Sequence, residues 1–348
     1  MAFSKDELRE AIWPQGSPSR EIVCRHCGRR NRVFVAAALF EGERCRCGAC
    51  QETLFLQPGE ALTGLSGQAY QHPLDLQELE TLRRLPGLPA ATRWLMKQLS
   101  DRQMRLLFMA NGVLCGDEQF PQLVALMHQA RESLGIDKRP TLFLAESASM
   151  NMMTTGVEDP LIVVQSALLD QMSDGEVLAV MGHELGHIHN EHLLYHTLGR
   201  LITIGAMLPA EVLLPGLGKL IHWSLQKAIL RWSRCSELSA DRAGLLASRN
   251  LGDSLQVLLT LAGGARPGMK RRTELRLRPF VAQARALADM EASNAIDSAL
   301  ATVLSMNARH PFIAWRVLQL LEWVETGNYL ELLAGHYPGA PKPEAHSD

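Results

Sequence analysis

Apolar residues recur at helical spacing through Leu74 to Leu85, Thr92 to Asn111 and Gln119 to Leu134, with Asp117 ahead of the third run and Pro121 near its first turn. Positions three and four apart share one face of a 3.6-residue repeat, so the pattern predicts three helices. The periodicity then changes. Thr141 to Glu146 (TLFLAE) and Leu161 to Gln165 (LIVVQ) are short, apolar and partly β-branched, and the turn-like VEDP precedes the second. These predict strands, with the intervening SMNMMTTG as a candidate third. Ser173 and Glu176 form an S-x-x-E capping box, after which Val177, Leu178, Met181, Leu185 and Ile188 resume a helical stripe. From Trp223 onward the pattern is helix after helix, interrupted at Gly263 to Gly268 and at His310-Pro311.

The amino-terminal part reads differently. Residues 21–57 hold five of the chain's seven cysteines, all between Cys24 and Cys50, and predict a small separate domain. Residues 58–73 are rich in Gly, Pro and Ser with few large apolar side chains, and read as a linker to a main domain at 74–330. Residues 336–348 are expected to be a disordered tail. The fold class these elements predict is α+β, predominantly helical, with a small sheet.

Composition narrows the function. At 348 residues and 47% hydrophobic, the chain can bury a real core, and a net charge of -2 gives no field that would attract nucleic acid. The first sixteen residues, MAFSKDELREAIWPQG, lack the basic start and apolar run of a secretory signal, so a cytoplasmic location is expected. There, clustered cysteines favour metal binding over disulfides. Leu201 to Ile221 is about long enough to span a bilayer but carries Glu211, Lys219, two prolines and three glycines. It therefore predicts a buried or membrane-associated hairpin, with an integral span as the less favoured alternative.

Five of the chain's 12 histidines fall between Met181 and His196, and the first two belong to His183-Glu184-Leu185-Gly186-His187, an H-E-x-x-H pattern. Residues four apart on a helix lie about 40 degrees apart around its axis, so both imidazoles can reach one ion. Zinc suits such a pair, and Glu184 then stands beside a zinc-bound water as general base. A catalytic zinc needs a third protein ligand and one open position. Glu237 and Asp241, four apart in SRCSELSADRAG, are the best candidates: one carboxylate to bind, its neighbour to accept a hydrogen bond from a ligating imidazole. His189, His192 and His196 read as surface or packing histidines.

HELGH followed fifty residues later by SELSADRAG resembles the M48 family of zinc metallopeptidases. NMMTTG, Asn151 to Gly156, is similar to that family's N-A-x-x-x-G segment, and His310-Pro311 with Arg316 is similar to its H-P-x-x-x-x-R. The resemblance runs from about Leu74 to Glu325. It implies a gluzincin-like metallopeptidase domain with His183, His187 and Glu237 as ligands, Glu184 as base, Asp241 and Arg316 supporting the ligands and His310 stabilising the oxyanion. Asn151 and Gly156 would lie on a strand that binds an extended protein or peptide substrate. Met152 departs from the family's usual alanine, which bears on the width of the cleft.

Cys24-Arg-His-Cys27 and Cys47-Gly-Ala-Cys50 are two C-x-x-C pairs nineteen residues apart, a spacing suited to a structural all-cysteine zinc site. Gly28 and Gly48 are expected to let the backbone turn around the thiolates. Cys45 could trade places with Cys47, but only Cys47 makes a C-x-x-C. The stretch resembles the zinc ribbon that precedes some bacterial thioredoxins. The leading expectation is thus a zinc metalloendopeptidase holding one catalytic and one structural Zn2+ and serving protein quality control. The alternative is a chaperone-like or regulatory zinc-binding protein with little proteolysis, which no residue favours.

Overall fold

The computed structural model describes residues 3–85, 88, 92, 101–204, 219–263, 275–293 and 312–340. The amino-terminal part begins with α1 (Lys5–Ile12), started by a capping box between Ser4 and Glu7. An antiparallel hairpin follows, β1 (Ser19–Val23) with β2 (Arg30–Phe34), and then α2 (Val35–Glu41).

A four-stranded sheet supports the rest: β3 (Val113–Leu114), β4 (Thr141–Ala145), β5 (Met152–Thr155) and β6 (Leu161–Gln165), in spatial order β3-β4-β6-β5. β4 and β6 run parallel, while the outer pairs are antiparallel. Leu161 to Val164 are all buried, which explains why β6 reads as an unbroken apolar run rather than an alternating one. All three stretches read as strands from sequence form strands. β5 ends the sheet and packs against the helix carrying H-E-x-x-H.

Among the described residues the further helices of six residues or more are α3 (Pro73–Arg83), α4 (Asp101–Asn111), α5 (Pro121–Ser133), α6 (Asp174–His189), α7 (Leu193–Ile204), α8 (Lys219–Ser248), α9 (Leu251–Gly263), α10 (Leu277–Ser293), α11 (Ile313–Glu325) and α12 (Asn328–Leu333). The architecture is the predominantly helical α+β class that the pattern predicts. Among the described residues no helix is long and apolar enough to cross a membrane, and most of 201–221 lies outside them.

The crossing of α6 over α8 sets the geometry of everything that follows. A Cβ placed on Gly182 would lie 2.3 Å from Ala247 Cβ, and one on Gly186 would lie 2.5 Å from Ala243 Cβ. Small residues on both helices therefore let the backbones approach closely, and any side chain at either glycine would push them apart.

One apolar core runs through both halves of the chain: Ile12, Ile22 and Leu54 belong to the same buried cluster as Met181, Leu185 and Leu320. The segment read as a linker is packed, with Leu62, Leu65 and Tyr70 buried in that cluster. Polar contacts reinforce it. Trp13 Nε1 donates to Glu325 Oε1 at 2.8 Å, Arg20 Nε donates to the Glu325 carbonyl at 2.7 Å, and the Leu56 amide donates to the Leu333 carbonyl at 2.7 Å.

Candidate active site

α6 begins with the capping box read from sequence: the Glu176 amide donates to Ser173 Oγ, and the Glu176 carboxylate accepts from the Ser173 amide. Two turns on, the helix presents His183 and His187 side by side, ring centres 5.0 Å apart. Glu237, from the facing stretch of α8, meets both. Its Oε2 lies 3.6 Å from His183 Nε2 and its Oε1 lies 3.6 Å from His187 Nε2. One donor atom from each residue falls within 4.8 Å of the others, a separation at which a single ion can be shared. Two imidazoles and a carboxylate are the donor set of a zinc site with a position left open.

Asp241, one turn after Glu237, places Oδ1 3.0 Å from His183 Nδ1. Arg316 grips the same carboxylate with both arms, Nε to Oδ2 at 2.7 Å and Nη2 to Oδ1 at 2.5 Å, and its Nη1 lies 3.4 Å from Glu237 Oε2. Burial would raise the Asp241 carboxyl, but the Arg316 guanidinium outweighs it and holds the group below its ordinary range. Burial would likewise depress the His183 imidazole. The Asp241 hydrogen bond and the Glu237 charge overcome this and raise it. His187 goes the other way, lowered by burial and by neighbouring His196.

Glu184 is buried, and Thr154 on β5 donates its Oγ1 hydrogen to Glu184 Oε2 at 2.6 Å. Burial raises the carboxyl above its ordinary value, against the opposing effects of His183 and the Thr154 hydrogen bond. Arg200 in turn donates to the Thr154 carbonyl at 3.0 Å. These residues line a cavity of about 900 Å³ whose walls are otherwise largely apolar, including Met152, Met172, Val257 and Leu258.

Asn151 lines this cavity. Gly156 does not; it turns the chain out of β5 at φ 87, where a Cβ would lie 2.7 Å from the Asp159 carbonyl oxygen. His310 lies outside the described residues. His192 is fully buried and His196 half-buried, and one ring nitrogen from each of His187, His192 and His196 falls within 4.8 Å of the others. The contacts of Thr154, Arg200 and the two α6 glycines were not foreseeable from periodicity, which assigns a face but not a partner.

The hairpin end of the molecule gathers a second cluster. The sulfurs of Cys24, Cys27, Cys47 and Cys50 lie within 4.8 Å of one another, with Cys24 to Cys50 at 3.6 Å and Cys27 to Cys47 at 3.5 Å. Cys45 is not among them. Backbone hydrogen bonds from Cys50 and Ala49 to the Cys47 sulfur lower its thiol, whereas burial and the neighbouring sulfurs raise that of Cys50, so Cys47 ionises ahead of it. Gly28 turns the first knuckle at φ 72, as expected. In the second knuckle Gln51, at φ 62, takes the left-handed conformation instead of Gly48, whose amide donates to Asn31 Oδ1 at 2.9 Å.

A helix carrying H-E-x-x-H thus faces a helix carrying two carboxylates, with an outer strand beside them. The model of peptidase family M48 matches residues 117–324, and the chain belongs to that family. It is 30% identical over 271 residues to the plastoglobule-localized metallopeptidase 48 of Arabidopsis thaliana, covering 77% of this chain and 76% of that protein. It is 28% identical over 178 residues to the protease HtpX homolog of Bacillus subtilis, covering 44% of this chain and 58% of that one. No solved structure is a significant match.

Proposed function

We propose that this peptidase is a zinc-dependent endopeptidase in which His183, His187 and Glu237 hold the ion and Glu184 is the general base. The observation that carries the reading is the convergence of two Nε2 atoms on the two oxygens of Glu237, each at 3.6 Å. When bound there, zinc supplies a Lewis acid that lowers the pKa of water towards about 7 and polarises a peptide carbonyl.

The chain's own groups divide the remaining work. Thr154 engages Glu184 Oε2 and so leaves Oε1 to take the proton from the attacking water. Arg316 and Asp241 hold His183 in the orientation that points Nε2 at Glu237. His310 is assigned, by its place after α10 in the family pattern, to donate to the developing oxyanion. β5 is a sheet edge beside Glu184, and an extended substrate can lie along it with Asn151 at one end. The four-cysteine cluster is assigned a structural zinc, since four thiolates leave no position for chemistry. We assign the enzyme protein or peptide substrates, a role in protein quality control, and a cytoplasmic location with membrane association, peripheral or integral, through the apolar residues of 201–221.

The test is Glu184→Gln. The variant should keep its zinc, measured by metal analysis, and cleave an unfolded protein at least about a hundredfold more slowly. Cleavage at the original rate would remove Glu184 from this role, and cleavage that survives a strong chelator would remove the metal.

A further inference from the structure

His183 and His187 reach one carboxylate through Nε2, but the far sides of their rings have different partners. His183 Nδ1 faces a carboxylate directly, Asp241 Oδ1 at 3.0 Å. His187 Nδ1 faces another imidazole nitrogen, His192 Nδ1 at 3.1 Å. Such a pair holds together only when one nitrogen carries a hydrogen and the other a lone pair.

The far side of His192 decides which. Its Nε2 lies 3.1 Å from Asp75 Oδ2 in a bent contact, and neither side chain is exposed to solvent. Asp75 is surrounded by donors: Trp232 Nε1 to Oδ1 at 2.9 Å, Ser239 Oγ to Oδ2 at 2.6 Å and Gln71 Nε2 to Oδ2 at 2.9 Å. That environment suits a carboxylate, which only accepts; a lone pair on His192 Nε2 at 3.1 Å would be repelled by it, so this nitrogen carries the hydrogen even though the contact is too bent for a hydrogen bond. His192 Nδ1 is then a lone pair, His187 Nδ1 must donate to it, and His187 Nε2 is left bare towards Glu237 Oε1. The hydrogens are thereby ordered over three residues.

We propose that His192 and Asp75 are positioning residues that fix His187, through its far nitrogen, in the tautomer and ring orientation that binds zinc. The inference rests on the zinc reading of this site. Asp75 lies on α3, ahead of the residues 117–324 that match the family, so the support for His187 comes from a part of the chain that the match does not reach. Removing an outer partner of a ligating imidazole commonly weakens metal binding ten- to a hundredfold. Asn in place of Asp75 can present an amide hydrogen to His192 Nε2, which reverses the order and turns a hydrogen on His187 Nε2 towards the ion.

Two measurements on the full chain test this. In the unsubstituted protein with 15N-labelled histidine, at about pH 8 and so above the ordinary imidazole pKa, long-range 15N–1H correlation should find His192 protonated on Nε2. A hydrogen on its Nδ1 instead would overturn the proposal. In Asp75→Asn, chelator competition should show zinc held about ten- to a hundredfold more weakly at the His183 site, with the cysteine-bound zinc unchanged as internal reference. A folded Asp75→Asn protein with unaltered affinity would overturn it too. If that variant does not fold, the tautomer measurement decides alone. It is read with or without zinc, so failure of the zinc reading and failure of this one are told apart.

Discussion

The four thiols near the amino end come from two knuckles of one short stretch, Cys24 to Cys50, whereas the imidazole–carboxylate cluster draws on α6 and α8 and is steadied by β5, α11 and α3. The first cluster is local: β1 and β2 pair residue for residue, and Gly28 and Gln51 turn the chain back on itself. The second is a product of packing, since Glu237 reaches the α6 histidines only because Gly182 and Gly186 let two helices nearly touch. A local site tolerates distant changes. A packed one does not, and substitutions far along the chain should damage the His183 site while sparing the thiols.

The strongest test of that contrast is Glu237→Ala. It should halve the zinc bound per chain by metal analysis, leave the thiols protected from a chromogenic thiol reagent, and slow cleavage by about a thousandfold or more. Next in size is Gly186→Val, whose Cβ would fall 2.5 Å from Ala243 Cβ. It should cost about 3 kcal/mol of stability in denaturant titration without exposing the thiols. Arg316→Lys keeps the charge but loses the two-armed grip on Asp241, and should weaken zinc binding at the His183 site about tenfold by chelator competition.

Thr154→Val should have the smallest effect, about 1 kcal/mol or roughly fivefold in kcat/KM. It also sharpens the assignment of the base through pH. The base must be ionised to take a proton, and Thr154 is one of the groups lowering the Glu184 carboxyl. Removing it raises that pKa further, so the acid limb of the kcat/KM profile should move to higher pH. An unmoved limb would mean that this limb does not report Glu184.

H-E-x-x-H and the two C-x-x-C pairs were legible because their spacing alone carries the chemistry: one helical turn, or one knuckle. The pairing of Glu237 with Asp241 was legible for the same reason, one residue per turn of α8. The strands were legible from their β-branched apolar runs, even β5, whose MMTT is half polar. Thr154 was not, because nothing in its neighbours distinguishes a strand threonine that holds a carboxylate 30 residues away from one that merely fills a pleat. The same holds for Asp75, whose helical pattern places it on a face without naming His192, or Trp232 and Ser239 far along the chain. The packing of 58–73 escaped detection because its Leu62, Leu65 and Tyr70 are spaced irregularly among turn residues, where periodicity has no purchase.

α11 joins the two ends of the molecule. Arg316 stands near its start, and its last residue, Glu325, is clasped by Trp13 and Arg20, roughly 14 Å further along at 1.5 Å per residue. Cutting the chain after Gln57 would therefore not release a leaner enzyme. It would unmoor the helix that steadies Asp241 and lay bare the greasy flank that Ile12, Ile22 and Leu54 now cover, so the truncated protein should clump before it could digest anything.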